Sequence, residues 1–334
     1  MFTCTYSYII IGDNMYNLIG NTPMIKIKYK YRGIEKYIYV KLEQYNLTGS
    51  IKDRIALYII EIEPKNNNLK YKMPIVEATS GNTGISFAAL GAKYNHPVYI
   101  FMPDWVSKER IDLIKLYGAQ VTLVSKENGG FKKCIQLADS LSKELNGYRP
   151  NQFSNKLNVE CHYNTTGKEI LDKLKDIEID GFVSGIGSGG TLMGISKRLK
   201  ERHPNIIIGA VEPDKIPLLT KNKIIDNHKI EGIGDDFIPS LVETNLIDRV
   251  YDISDDDAIN MARIITKKLG LGIGISGGAN LIGAVLLQEE GLKNIVTIFP
   301  DDNKKYLSTD LVKEIDYNKD FISNKIDLID YEVL

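Results

Sequence analysis

Short apolar runs alternate with stretches in which apolar positions recur every three or four residues. MPIVEA (73–78), VYIFM (98–102), VTLV (121–124), GFVSGI (181–186), IIIGAVE (206–212) and NIVTIFP (294–300) read as buried strands. Helical spacing between them predicts helices over 85–94, 108–116, 131–145, 191–202 and 256–269. Alternation of this kind builds right-handed βαβ units and parallel sheets. Two such runs flank an irregular stretch, 146–165, which predicts two doubly wound α/β domains with a cleft between them. The expected boundaries are 15–46 with 157–312 for a larger domain, and 47–156 for a smaller one. Residues 1–14 read as an extension, and 313–334 as a polar, weakly patterned tail with no assigned function.

Composition narrows the classes. A chain of 334 residues suits about two domains. The net charge is −1 and the lysines are spread along the chain, so no basic field draws nucleic acid or an anionic membrane. Cys4, Cys134 and Cys161 form no CxxC pair and histidine is scarce, which argues against a disulfide framework and against a metal site. A reducing cytoplasm is the expected compartment. The opening MFTCTYSYIIIGDN lacks a basic segment and a small-residue cleavage site, so it does not read as a signal peptide. No apolar run approaches the roughly 20 residues that span a bilayer.

In open α/β sheets, ligands bind where strands run into helices. The informative loops sit at such places: TGSIKDR (48–54), ATSGNTG (78–84), GIGSGGT (185–191), EGIGDDF (231–237) and GISGGAN (274–280). In GIGSGGT, Gly187, Gly189 and Gly190 let the backbone approach an anion. The N–H groups of Ser188 to Thr191 and the Thr191 hydroxyl would donate to a phosphate at the helix N-terminus. The loop is neither a Walker loop nor a clean GxGxxG fingerprint, and a closely packed connector would use the same glycines. Lys52 falls at or near a helix start. It reads either as a surface lysine of a first turn or as an amine whose pKa is lowered by the helix end and Arg54, which favours imine formation.

The loops are not independent. NLIGNTP, GSIKDR, TSGNTG, NQF, HYNTTG, GSGGT, EGIG and GIS occur in one order along most of the chain, from 18–27 to 298–309. That series resembles the fold-type II pyridoxal-phosphate enzymes of the cysteine synthase and cystathionine β-synthase family. The resemblance implies a tryptophan-synthase-β-like fold, pyridoxal 5′-phosphate as cofactor, a small amino acid as substrate and a homodimer. It implies that Lys52 carries the cofactor as a Schiff base and removes the α-proton. Asn82 would bond the cofactor's phenolate oxygen, Gly187, Ser188, Gly189, Gly190 and Thr191 its phosphate, and Ser276 would face its pyridine nitrogen. Thr79, Ser80, Thr83 and Gln152 would hold the substrate carboxylate, and Gly232 would line the pocket. Each also has a plainer reading: Thr79, Ser80 and Thr83 as helix caps, Gln152 and Ser276 as partners of loop backbone. A neutral serine at the pyridine nitrogen favours prompt loss of a β-substituent, then addition of a nucleophile to an aminoacrylate.

The main departure from the family is Asp235 and Asp236 after GIG, where sulfide-using relatives commonly carry small residues. Asp235, the nearer to GIG, is expected to face the site. A carboxylate about 5 Å from hydrosulfide, at an effective dielectric of about 20, repels it by roughly 3 kcal/mol. The same group would act as base toward water. The pair therefore tilts the expectation toward cysteine plus water giving serine plus hydrogen sulfide. Cysteine synthesis from O-acetylserine and sulfide is the close alternative. Asp235 could instead steer an amino-acid nucleophile toward cystathionine- or lanthionine-type products, or be a solvated loop residue. Two other classes stay open: a non-catalytic binding module, against which Lys52 stands, and a nucleotide-dependent oxidoreductase. Leu47, Thr48, Lys168, Asp302 and Asn303 are further departures without a physical account. Neither a heme-binding segment before the core nor a C-terminal regulatory domain is expected, and an acetyltransferase partner is not readable from these residues.

Overall fold

The structure is a computed structural model that describes residues 15–313 and 318–334. The expected extension, 1–14, lies outside the described residues. Along the chain run β1 (Met24–Tyr31), β2 (Ile34–Leu42), β3 (Ile75–Ala78), β4 (Val98–Pro103), β5 (Gln120–Val124), β6 (Gly181–Gly185), β7 (Ile207–Pro213), β8 (Arg249–Ile253), β9 (Ile295–Phe299) and β10 (Ile326–Val333). They form a seven-stranded sheet, β10-β1-β2-β9-β6-β7-β8, and a three-stranded sheet, β3-β4-β5. The helices are α1 (Lys52–Ile62), α2 (Asn82–Tyr94), α3 (Lys108–Leu116), α4 (Gly130–Glu144), α5 (Leu157–Asn164), α6 (Thr166–Lys173), α7 (Gly190–Arg202), the short α8 (Leu218–Lys221), α9 (Asp255–Leu269) and α10 (Ile275–Glu289).

The expected alternation is present, and the small sheet is wholly parallel. The large sheet is parallel from β2 to β8, but β1 and β10 run antiparallel at its edge. Only two residues separate β1 from β2. Arg32 and Gly33 both have positive φ, 51° and 80°, as a tight hairpin turn of the primed type requires. The alternating MIKIKYKY pattern of β1 buries one face, the signature of a half-covered edge strand. β10 comes from the stretch read as a weakly patterned tail. Its buried Ile326 and Leu328 alternate with acidic residues, and its strand character comes from pairing with β1. Similarly, 157–164 in the irregular stretch is helix α5. The start of α2 falls at Asn82, before the apolar periodicity begins, because Gly81 (φ 151°) turns the chain there.

The two sheets are joined at the start of α1. Ile51 donates its N–H to the Pro300 carbonyl at 2.8 Å, and Ser50 bridges to Asp301. One turn on, Arg54 is buried with two carboxylates. Its guanidinium meets Glu43 at 2.6 and 2.8 Å and Glu169 at 2.6 and 2.8 Å, both as bidentate pairs. Lys41 reaches Glu169 at 2.7 Å, while Thr22 and Asn46 donate to Glu43 at 2.7 and 2.9 Å. Side chains of β2, α1 and α6 thus meet in one satisfied ionic cluster.

Replacing Arg54 with methionine strands Glu43 in the interior. The expected loss is about 3–5 kcal/mol of unfolding free energy, read from denaturant midpoints, and lysine restores only part because one ammonium cannot fork to two carboxylates. Burial alone would raise the Glu43 pKa, but the Arg54 and Lys41 charges override it and hold the carboxyl down at about 2, against an ordinary 4.5. Its contribution is therefore complete above pH 4.5 and is lost as pH falls toward about 2.

Candidate active site

Six segments converge on one cleft between the sheets. Its walls include Lys52 from the first turn of α1, Thr79, Ser80, Asn82 and Thr83 from the β3–α2 turn, and Gln152 and Phe153 after α4. Gly187, Ser188, Gly189 and Thr191 of the β6–α7 loop, Gly232 and Asp235 of the β7–β8 connection, and Ser276 of α10 complete it. Of the residues given a catalytic, cofactor or substrate role from sequence, Gly190 alone does not line the cleft. It sits behind the loop, where a side chain would overlap Asn158.

The Lys52 ammonium has no hydrogen-bonded carboxylate among the described residues. Burial lowers its pKa from the usual 10.5, partly offset by the charges of Asp235 and Asp301. Asp235 moves the opposite way. Burial and the neighbouring Asp236 raise its carboxyl to about 7, against the pull of Lys52. Both shifts bring neutral forms toward neutral pH, which suits an amine that must attack and an acid–base group that must exchange protons. Asp236 instead turns outward toward Lys132, at 3.7 Å.

The carboxylate side chains of the cleft are organised by residues that sequence reading missed. Asp301 is only 1% exposed; it accepts hydrogen bonds from the Asn82 amide at 2.7 Å and from the Tyr306 hydroxyl at 2.8 Å. Arg110 of α3 lies 3.8 Å from the same carboxylate, stacks 4.4 Å over the Tyr306 ring and pairs with Glu231. Arg110 also occupies the space beside Gly81, which is why that residue has no side chain. Asp301 directly follows NIVTIFP, so its place at the end of a strand was visible, but its neighbour Asp302 was the one that departed from the family pattern. Asp302 lies beside Gly49 and Lys305. Arg110 carried no signal beyond one basic residue in a helix.

The expected carboxylate-binding group is partly engaged internally. The Thr83 hydroxyl donates to Gln152 Oε1 at 2.7 Å, and Gln152 Nε2 donates to the Ala78 carbonyl at 3.1 Å. Thr79 Oγ1 accepts from the Gly81 N–H at 3.0 Å. Those bonds fix the loop and leave Ser80, the second Gln152 amide hydrogen and loop N–H groups for a ligand.

The donor set fits a phosphorylated pyridine cofactor. Asn82 Oδ1 is buried without a partner, while its Nδ2, held by Asp301, keeps a second hydrogen. Ser276 is buried at the N-terminal turn of α10. The loop 187–190 is shaped by close backbone approach: a side chain on Gly187 would overlap the Gly232 carbonyl oxygen, and Gly189 has φ 85°. Beyond the loop, Asn280 of GISGGAN accepts from the Gly185 N–H at 2.8 Å and donates to Ile298 at 2.9 Å, so α10 clamps the ends of β6 and β9. Among the described residues no helix is long and apolar enough to cross a membrane, and no group of three metal-ligating side chains gathers.

Gly187→Ala tests the loop. Its methyl faces backbone, which cannot swing away, so the expected result is a loss of about 1–3 kcal/mol of stability with reduced retention of the cofactor. Thermal melts and the visible absorbance of the purified protein read the two effects separately.

Residues 15–301 match the family model described as pyridoxal-phosphate dependent enzyme. A cysteine synthase from Staphylococcus aureus is 39% identical over 301 residues, covering 90% of this chain and 96% of the relative. A hydrogen sulfide-producing enzyme from Fusobacterium nucleatum is 50% identical, covers 95% of this chain and 97% of its own, and superposes with a TM-score of 0.92. An aspartate-to-asparagine variant of that enzyme, solved with an α-aminoacrylate intermediate, superposes with a TM-score of 0.93 over 96% of this chain and 97% of its own. A second hydrogen sulfide-producing enzyme from the same organism is 40% identical over 89% of this chain and all of its own, with a TM-score of 0.83.

Proposed function

This chain belongs to the family of pyridoxal-phosphate dependent enzymes, in its cysteine synthase branch, and we propose that it converts L-cysteine and water into L-serine and hydrogen sulfide. The observation that carries this reading is the Asp235 carboxyl, in one cleft with Lys52 and pushed up to about 7. Two relatives named as hydrogen sulfide-producing enzymes support it, as does the aminoacrylate complex of an aspartate-to-asparagine variant of one of them.

The cofactor, when bound, supplies the electron-withdrawing ring that lets a proton leave the substrate α-carbon and sulfur leave the β-carbon. Lys52 would hold it through Nζ and would take the α-proton of the substrate, and its lowered pKa keeps more of the amine neutral for both tasks. Ser80, Gln152 and the N–H groups of the Thr79 to Thr83 turn hold the substrate carboxylate. Thr79 and Thr83 keep that turn in shape through their own bonds. Asn82 would bond the ring oxygen, Ser276 would offer a neutral hydroxyl to the ring nitrogen, and Gly187 to Thr191 would hold the phosphate. Gly232, with a positive φ of 97°, forms the rim beside Asp235.

After sulfur departs as hydrosulfide, ionised Asp235 would take a proton from water as the water oxygen bonds to the β-carbon. Lys52 would return its proton to the α-carbon and Asp235 would pass its own to hydrosulfide, which leaves serine, hydrogen sulfide and both groups reset. A pKa near the working pH suits this step, because the base is ionised often enough to act and basic enough to pull. The same charge repels incoming hydrosulfide and so opposes the reverse addition.

Asp235→Asn is expected to lower serine formation from cysteine by about 100-fold or more, the scale of a lost general base. In the native enzyme the rate of sulfide release should rise with pH through about 7, as Asp235 ionises; in the variant that rise should vanish. Lys52→Ala should leave no cofactor fixed to the protein by borohydride. Cysteine synthesis from O-acetylserine and sulfide is the second reading, favoured by the 39% identical cysteine synthase. If Asp235→Asn leaves the water reaction untouched while O-acetylserine and sulfide react fast, that second reading replaces the first.

A further inference from the structure

HYNTTG and the residues before it have no part in the chemistry above, yet α5 packs its inner face directly on the phosphate loop. Asn158 and His162 stand one helical turn apart on that face. Opposite them, on α7, Gly190 and Gly194 have the same spacing. A side chain at Gly190 would overlap Asn158, and one at Gly194 would overlap the Val159 carbonyl and crowd His162. This close approach brings each polar side chain to one hydroxyl of the loop. Asn158 Nδ2 reaches Ser188 Oγ at 2.8 Å, and His162 Nε2 reaches Thr191 Oγ1 at 3.2 Å.

We propose that Asn158 and His162 are positioning residues that set the direction of the two hydroxyls toward the cofactor phosphate. The inference rests on reading Gly187 to Thr191 as the phosphate loop. The Asn158 amide has two hydrogens and spends both, one on the Gln152 carbonyl at 2.8 Å and one on Ser188. Ser188 is therefore an acceptor toward α5, and its own O–H is free for the anion. The same logic assigns the ring. Thr191 can aim its O–H at phosphate only if it accepts from His162, so the ring proton sits on Nε2. Nδ1 then accepts from the Thr166 hydroxyl, 3.0 Å away. Burial, reinforced by the charges of Lys52 and Arg54, depresses the His162 pKa to about 3, so the ring is neutral and carries a single N–H to share between the two hydroxyls. A ring protonated at Nδ1 instead would leave Nε2 to accept from Thr191 and would turn that O–H away from the phosphate.

A double-mutant cycle on the affinity of the apoenzyme for pyridoxal phosphate tests this. His162→Phe and Thr191→Val should each weaken binding by about tenfold, and the double variant should be no weaker than Thr191→Val alone. The phosphorus resonance of the bound cofactor should move in both single variants, and His162→Gln, which keeps a donor, should restore most of the affinity. Nitrogen spectra of the native holoenzyme should show a neutral His162 protonated at Nε2, a readout that needs no variant to fold. Independent, additive losses, or a proton on Nδ1, overturn the assignment. Unchanged affinity in Thr191→Val instead overturns the phosphate-loop reading itself.

Discussion

The Arg54 guanidinium is the fixed point on which the site depends. It lies two residues past Lys52, deep between Glu43 and Glu169, and it is tied to them by four hydrogen bonds. Such a cluster has a large desolvation cost, which its mutual satisfaction offsets, and it tolerates no loss of one partner. With Arg54 fixed and the Ile51 N–H bound to Pro300, the first turn of α1 has little freedom. Lys52 is held at the floor of the cleft by the backbone on both sides rather than by any contact to its own amine.

Burial then sets the chemistry. The same loss of water lowers the Lys52 pKa and raises that of Asp235, and the two charges moderate each other. A solvated lysine would be protonated and a solvated aspartate ionised, and neither would exchange protons near neutrality. Asp301 contributes at a distance. It anchors Asn82, receives Tyr306 and is flanked by Arg110, so the face of the cleft built by the small sheet is tied to the end of β9. Through Arg110, that tie extends to Glu231 and hence to the loop that carries Asp235.

Six parallel strands, β3 to β7 and β9, were legible as apolar runs bounded by loops, while β2 and the partly exposed β8 (RVYDI) were not. Nor were the edge partners. β1 alternates lysine with isoleucine and tyrosine, and β10 alternates acidic residues with its two buried apolar ones; each is defined by what pairs beside it. Lys52, the phosphate loop and Asp235 were readable because glycines and polar residues cluster at strand ends. Arg110, Asp301, Asn158 and His162 were not, since each acts through a neighbour far away in sequence. HYNTTG was recognised as a motif, but only packing against α7 brings its histidine to Thr191.

By itself, then, the sequence determined the βαβ alternation, the loops that meet at strand ends and the lysine, glycines and aspartate that gather in the cleft. Those features are local: they follow from periodicity, from turn-forming residues and from a short spacing within one loop. Tertiary structure alone decided which of Asp235 and Asp236 faces Lys52, how far each group's proton affinity moves, and what holds Asn82 and Thr191 in place. These depend on desolvation and on contacts between segments hundreds of residues apart, such as Asn82 with Asp301, whose energies exist only once the chain has folded around them.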